Sequence, residues 1–454
     1  VNALNGGHGL VDREQYLNQL DDAILRAQAE HRTTLLALRE AQHVFSHFVP
    51  RDFLRLLGSD IMSVRLGDHV EMKTTILFAD IRNFTSLSEN QRPEDVFRTL
   101  NEYLGSFEAP IHSHGGVIDK FIGDAIMAIF RSADDAVSAA IAMQERVQTF
   151  NRDRIAKGLK PIKMGIGVNT GYSSLGVIGN ADRMETTVIG DAVNVAARIQ
   201  DLTKKYSSQL LISESTHVNL EDCTQYTLRF IDRVKVKGRV RPVSIYEVFD
   251  TDPEELKAAK VIGLDLFERA AANYHLGYYG DASASFEKYS TLVPEDPVAE
   301  VYRAICNGLD ESGDDVDRDR EFAWSAIYDT NHPEIDGHHH ELASIYEQLK
   351  AAVRSKSVSE IENILKSLTS YSKFHFAAEA KLMKESNYPL AEEHLNEHRS
   401  FVRRLNQFGQ KLRDSRSDER TILFGINLFL FDWLASHSTT VDHHLVQYLS
   451  QKPS

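Results

Sequence analysis

Seven side chains able to ligate a metal recur at helical spacings in the last quarter of the chain: His339, His375, Glu379, His394, His398, His437 and Asp442. His375 and Glu379 stand four apart, as do His394 and His398, so each pair shares a helix face. His437 and Asp442 are separated by five, across a slightly wider angle. Ten of the nineteen histidines fall between His332 and His444. Imidazole is near neutral at pH 7, so solubility does not account for that concentration. Helices that each direct one or two such groups inward build a two-metal core. Five imidazoles and two carboxylates suit iron, with mixed N/O ligation and carboxylates bridging two ions, whereas zinc ordinarily takes fewer ligands and no bridges. Each histidine alone reads equally as a satisfied or exposed side chain; the aligned seven depart from that reading.

A second constellation lies between Asp80 and Arg198. Asp80 closes the apolar run MKTTILFA at 72–79, and Asp124 sits in a tight turn between two short apolar runs. Strands ending together bring two carboxylates to one sheet edge, where they repel and a divalent cation removes the repulsion. Such a pair can hold two ions beside a triphosphate. By themselves the two aspartates read as turn residues capping strands. Asn194 and Arg198, four apart, share a helix face and by themselves read as a surface residue and half of an ion pair.

The elements that must position these groups are legible from periodicity. Residues 11–48 form one long apolar-striped helix, either a coiled coil or a helix packed on its own domain, ended or redirected by Pro50. Strands are expected at 72–79, 117–121, 125–130, 163–170, 210–213, 228–235 and 243–249. Helices are expected from about Pro93 to Phe107, Ser132 to Asn151 and Asp191 to Leu202. Strands alternating with helices but including hairpins indicate an α+β sandwich. Residues 254–310 read as helical, with one tetratricopeptide-like pair as packing or spacing material. An acidic stretch at 310–319 reads as a linker. Four helices at approximately 335–354, 356–383, 388–413 and 419–448 make an all-α four-helix bundle.

The 454 residues and 51.3 kDa suffice for two or three cores. A formal charge of -15 opposes non-specific nucleic-acid binding, and no basic patch reverses it. Cys223 and Cys306 offer neither a disulfide framework nor a CxxC site, so a reducing cytoplasm is the expected location. No apolar run approaches bilayer length, although an upstream sensor or membrane segment beyond this chain is compatible with the start VNALNGGHGL.

FADIRNFTSLSE at 78–89, GGVIDKFIGDAIMAIF at 115–130 and TTVIGDAVNVAARI at 186–199 occur in order. Together they resemble the catalytic domain of class III nucleotidyl cyclases over about residues 47–250. The resemblance implies that Asp80 and Asp124, with the Ile81 carbonyl, bind two Mg2+ or Mn2+ ions. It places Lys120 and Thr187 at the purine base, Asn194 and Arg198 at the ribose and the transition-state phosphate, and Lys237 of VKGR at the terminal phosphates. Phe84 joins this substrate-binding set. Chemistry agrees: Lys120 can donate to N1 of adenine, and the Thr187 hydroxyl can accept from the exocyclic amine. Guanine presents a donor at N1, so ATP is preferred to GTP. Many family members carry Asp where Thr187 stands, and a neutral hydroxyl discriminates less sharply. The family works as a head-to-tail dimer with shared sites, and this chain carries both halves, so a homodimer suffices.

IDGHHHEL at 335–342, YSKFHFAAEAKLM at 371–383, HLNEH at 394–398 and WLASHSTTVD at 433–442 resemble hemerythrin-like domains over about 331–448. The resemblance implies that His394, His398 and His437 hold one iron, His339 and His375 the other, with Glu379 and Asp442 bridging. His338 and His340 are the alternatives to His339; His332, His443 and His444 face solvent or support the ligands. Phe374, Phe376, Leu382, Met383, Phe401, Leu428 and Trp433 are expected to pack drily around the metals. An open iron position there could bind O2, peroxide or nitric oxide.

The expected organisation is a signalling helix at 1–48, a cyclase domain at 49–252, a helical linker at 253–325 and a di-iron bundle at 326–454. The expected function is synthesis of 3',5'-cyclic AMP and pyrophosphate from ATP under O2 or redox control, transmitted through the 254–310 helices. A guanylate cyclase with the same regulation and a non-catalytic O2- or iron-binding protein are the rival readings.

Overall fold

The computed structural model describes residues 20, 24–40, 53, 56, 58, 64–84, 92–180, 183–235, 242–312, 328–355, 358–413 and 419–451. Lys237, the SLSEN segment at 86–90 and most of the acidic stretch lie outside the described residues. Two compact units form, one from 1–69 with 176–187 and the other from 70–175 with 188–454. In the first, helix α1 covers 24–40. Its Leu25, Leu36 and Leu38 are exposed. In the same unit Gly67 donates to the Val177 carbonyl and Val177 to that of Asp68, each at 2.9 Å.

The chain then proceeds through β1 (His69–Ile81), α2 (Pro93–Gly105), α3 (Glu108–Ser113), β2 (Val117–Ile122), β3 (Ala125–Phe130) and α4 (Ala133–Ala156). It continues with β4 (Met164–Gly179), β5 (Met184–Ile189), α5 (Asp191–Lys205), β6 (Leu210–Ser213), α6 (Glu214–Val218), β7 (Leu228–Lys235) and β8 (Pro242–Val248). The sheet order is β2-β3-β1-β4-β6-β8-β7, with β5 paired to β4. Alternate residues serve opposite faces. Leu77, Ala79 and Ile81 of β1, Ile166 and Val168 of β4, and Leu210 and Ile212 of β6 enter one core with α2, α3 and α4. Leu211, Ile231 and Ile245 enter another with α5 and the helices that follow. Strand β4 runs further than its apolar pattern indicates, and β5 and α6 are additions to the expected set. The outer half of β5 is exposed, so it lacks the alternation that marks a half-buried strand.

Helices α7 (Glu254–His275), α8 (Tyr279–Leu292) and α9 (Pro297–Ser312) follow. They are integral to the sheet domain. Phe267, Phe286, Tyr289 and Tyr302 share a core with Phe230 and Ile231 of β7. Fully buried Arg229 of β7 donates to Glu247 at 2.6 Å and to the Tyr289 hydroxyl at 3.0 Å, and it pairs with Asp296.

The bundle consists of α10 (Pro333–Ser355), α11 (Val358–Ser386), α12 (Ala391–Arg413) and α13 (Glu419–Ser436); a π-helical turn (His437–Asp442) and α14 (His443–Ser450) complete it. Helix α13 is apolar around its circumference because it is covered on two sides. Ile422, Ile426, Phe429 and Leu430 pack within the bundle. Leu428 and Phe424 pack on the sheet side. Asp432 of α13 receives Arg233 at 3.3 Å and the Ser244 hydroxyl. The bundle therefore touches the sheet domain directly, as well as following it in the chain through the helices at 254–312.

Candidate functional site

All seven expected metal-ligating side chains turn into the bundle interior and are at most 3% exposed. Helix α10 supplies His339, α11 His375 and Glu379, and α12 His394 and His398. The π-helical turn supplies His437 and Asp442. In that turn the backbone hydrogen bonds run five residues back, so groups five apart come onto one face. Its position accounts for the spacing that an α-helix would splay.

The groups fall into two sets, Glu379 with His394, His398 and His437, and Glu379 and Asp442 with His339 and His375, each within 4.8 Å of one another. Glu379 lies between them, its Oε2 3.3 Å from His394 and 3.1 Å from His398, and its Oε1 3.5 Å from His375. Asp442 does likewise, with Oδ1 3.1 Å from His437 and Oδ2 3.0 Å from His339. None of these four carboxylate oxygens has a partner in hydrogen-bond geometry among the described residues. Buried carboxylate oxygens without donors are costly. The Nε2 atoms of His398 and His437 face each other at 3.0 Å. Cations between these groups would give the four carboxylate oxygens and one nitrogen of each ring a partner, so the residues fit a two-metal centre.

Burial pushes His375 and His398 down to about 4, keeping both rings neutral and able to ligate. Burial opposes the charge of His437, yet Asp442 and Glu397 lift it to about 10. Phe376 stacks on His398 at 3.7 Å and Trp433 on His437 at 4.2 Å. Phe401 lies 4.1 Å from Trp433. Met383 is buried and Leu382 partly so, in a neighbouring cluster. Two expected lining residues do not line the centre. Phe374 is 59% exposed, and Leu428 faces the sheet domain. His338 lies beside Tyr371 and Phe374, exposed His340 pairs with Asp329, and His444 reaches Glu71 at 3.4 Å.

In the sheet domain, Asp80 stands near the end of β1, and Asp124 in the turn between β2 and β3. Gly123 takes φ 65° there, a left-handed conformation that suits glycine. The two carboxylates meet: burial first, and then the Asp80 charge, lift Asp124 to about 6. The Lys204 ammonium of α5 lies 3.1 Å from Asp80, so a cation already occupies part of this acidic edge. The pair fits divalent ions, with buried Ile81 adjoining. Lys120 projects from β2, 3.4 Å from the buried Asp119. Thr187 is buried on β5. Phe84 packs partly buried on the core. Asn194 and Arg198 are exposed along α5, and Arg198 is 3.6 Å from Asp201.

Residues 69–249 match the family model of the adenylate and guanylate cyclase catalytic domain. Residues 330–449 match that of the hemerythrin HHE cation binding domain. The chain joins a cyclase catalytic domain to a hemerythrin domain. An adenylate cyclase of Anabaena cylindrica is 41% identical over 244 residues, which are 52% of this chain and 49% of that protein. The terminal-differentiation specific adenylate cyclase of Dictyostelium discoideum is 36% identical over 292 residues, 62% of this chain and 14% of that protein. The chain thus spans at most about half the length of these relatives. The crystal structure of the adenylyl cyclase CyaB from P. aeruginosa aligns with TM-score 0.37 and 35% identity, over 41% of this chain and 98% of that one. Among the described residues no helix is long and apolar enough to cross a membrane.

Two groups at the hemerythrin domain were not singled out from sequence. Glu397 of α12 stands 3.0 Å from His437 Nδ1, and its other oxygen accepts from Lys73 of the cyclase domain at 2.6 Å. A glutamate beside a histidine on a charged helix reads as a solvated face, and only packing against a second domain reveals otherwise.

Proposed function

We propose that this chain cyclises ATP to 3',5'-cyclic AMP and pyrophosphate in a homodimer, and that its hemerythrin domain places that activity under O2 or redox control. The observation that carries the catalytic reading is the meeting of Asp80 and Asp124. The relatives named adenylate cyclase support it.

Asp80, Asp124 and the Ile81 carbonyl would hold two Mg2+ or Mn2+ ions. Such ions supply charge neutralisation at the triphosphate and a lowered pKa for the attacking hydroxyl. Lys120 donates to adenine N1, and Thr187 accepts from the exocyclic amine. Asn194 orients the ribose. The 3'-oxygen forms a bond to the α-phosphorus as the bond to the bridging oxygen of pyrophosphate breaks, and Asp80 relays the hydroxyl proton to solvent. Arg198 meets the phosphoryl charge with its rigid fork, a contact worth ~3 kcal/mol. Lys237 and Phe84 complete the substrate contacts.

Asn194 and Arg198 stand on an exposed helix face, as residues serving a partner's site must. Phe121 and Ile122 of β2 and Ile189 of β5 leave apolar surface exposed, which a second copy would cover. The buried centre made by His339, His375, Glu379, His394, His398, His437 and Asp442 would hold two irons; when bound, these supply reversible O2 or redox chemistry. The thiols of Cys223 and Cys306 are free, in keeping with a cytoplasmic location.

The test is product formation by the purified chain with Mg2+ or Mn2+, comparing ATP with GTP. Asp124→Ala and Arg198→Ala should each be inactive. Mixing the two should restore roughly a quarter of wild-type activity, because half the dimers then hold one intact site. Full activity of Asp124→Ala would refute the two-metal assignment. A preference for GTP would favour guanylate cyclisation. No product with either nucleotide would leave a non-catalytic iron- or O2-binding protein.

A further inference from the structure

Strand β1 is the shared member of two networks. Near its end is Asp80. Seven residues earlier is Lys73, whose ammonium leaves the sheet domain and meets Glu397 of α12 at 2.6 Å. The same ammonium donates to Asn219 at 2.7 Å, and Asn219 is anchored in turn on the Ser215 carbonyl. The side chains of Lys73 and Glu397 are each only 15% exposed. The other oxygen of Glu397 lies 3.0 Å from Nδ1 of His437.

The ring of His437 is thereby held from both sides. Its Nε2 faces Asp442 and His398 inside the metal-binding core, and its Nδ1 faces Glu397. A proton kept on Nδ1 by a carboxylate leaves the Nε2 lone pair for a metal, and such outer partners fix both tautomer and ring angle. Glu397 is thus a positioning residue for His437. It is also the residue that Lys73 holds. A buried ion pair contributes little net stability compared with apolar packing, so stability alone is a weak account of this one.

Beyond Lys73 the strand is tied sideways. Thr74 bonds Ser173 at 2.6 Å and Thr75 bonds Thr170 at 2.9 Å, both buried. A paired strand resists stretching, so a shift at Lys73 is felt at Asp80, roughly 23 Å along at ~3.3 Å per residue. There a misplacement of ~1 Å is worth about a hundredfold in rate.

We infer that Lys73 and Glu397 form the link through which the state of the iron-binding core is transmitted to the catalytic strand. The inference rests on the regulated-cyclase reading and names its route: directly from α12 to β1, and not through the helices at 254–312.

The experiment uses the full chain, iron-loaded and metal-free, as wild type, Lys73→Met, Glu397→Gln and Arg403→Ala. Arg403 also bridges α12 to the cyclase domain, donating to the Glu221 carbonyl at 2.6 Å, and serves as the control. Cyclase rate is measured in both metal states, and iron release to a chelator is followed by the optical spectrum. Wild type and Arg403→Ala should show different rates in the two states. Lys73→Met should show equal rates while retaining its iron. Glu397→Gln should show equal rates and hold iron ~10–100-fold less tightly. A wild-type-like rate difference in Lys73→Met overturns the route while leaving regulation standing. Iron release at the wild-type rate from Glu397→Gln overturns the positioning role. Equal rates in wild type itself refute iron control of the cyclase, and the link falls with it.

Discussion

Asp119 carries a charge that the fold does not accommodate. Its side chain is fully buried, neither oxygen has a hydrogen-bond partner among the described residues, and its nearest cation, Lys120, is 3.4 Å away. Burial outweighs that cation and lifts the Asp119 carboxyl to about 6, from 3.8. The folded chain therefore holds this proton more tightly than the unfolded chain does. Between about pH 4 and about pH 6 the folded state binds more protons, so stability falls as pH rises, and above that window the whole deficit remains. A gap of two units corresponds to about 3 kcal/mol. Asp119→Asn keeps the shape and removes the charge. Near pH 4 it should match the wild type. At pH 7 it should be more stable by up to about 3 kcal/mol, with the gain growing across the window. Urea unfolding of the cyclase domain at a series of pH values measures this directly, through shifts in midpoint at constant slope. A difference that does not change with pH, or a variant that is less stable at pH 7, would show that burial of the Asp119 charge does not cost the fold stability.

Other consequences are equally open to measurement. Arg229→Met strips buried Asp296 of its paired guanidinium and leaves Glu247 with Lys260 alone; it should destabilise the chain by about 3–5 kcal/mol, seen as a lowered thermal midpoint. Trp433→Ala removes the ring stacked on His437 and should lose about 3–5 kcal/mol of bundle stability together with iron retention, measured by calorimetry and metal analysis. In Gly167→Ala the new methyl would lie 2.2 Å from the Gln200 nitrogen, driving α5 off the sheet. Because α5 carries Asn194 and Arg198, turnover should fall by about a hundredfold or more while nucleotide binding at Lys120 persists, separable by kcat and KM. Lys120→Glu should depress ATP turnover and narrow the gap to GTP, read by assaying both nucleotides.

The clustering of the bundle's inward-facing histidines was legible because helical spacing converts directly into a shared face. The exceptions have simple causes. Phe374 precedes a ligand by one residue, which turns it about 100° away and outward. Leu428 lies on a helix apolar all round, and sequence gives no means of dividing that surface between bundle and sheet domain. The strands of the cyclase domain followed from apolar runs, but β5, half exposed, offered no run to find. Lys73 sits inside an apolar strand and Glu397 inside a charged helix, each ordinary locally. Their meeting is set by how two domains pack, a relation between residues more than three hundred positions apart that no window of sequence contains.

The widened turn at His437–Asp442 makes the ligand set unequally tolerant of changes in chain length. Deleting Thr439 or Thr440 would let the segment relax into ordinary helix with its imidazole and carboxylate still side by side. An insertion there would swing the Asp442 carboxylate roughly 100° around the axis, away from the other six groups. Shortened variants of this segment should therefore survive where lengthened ones do not.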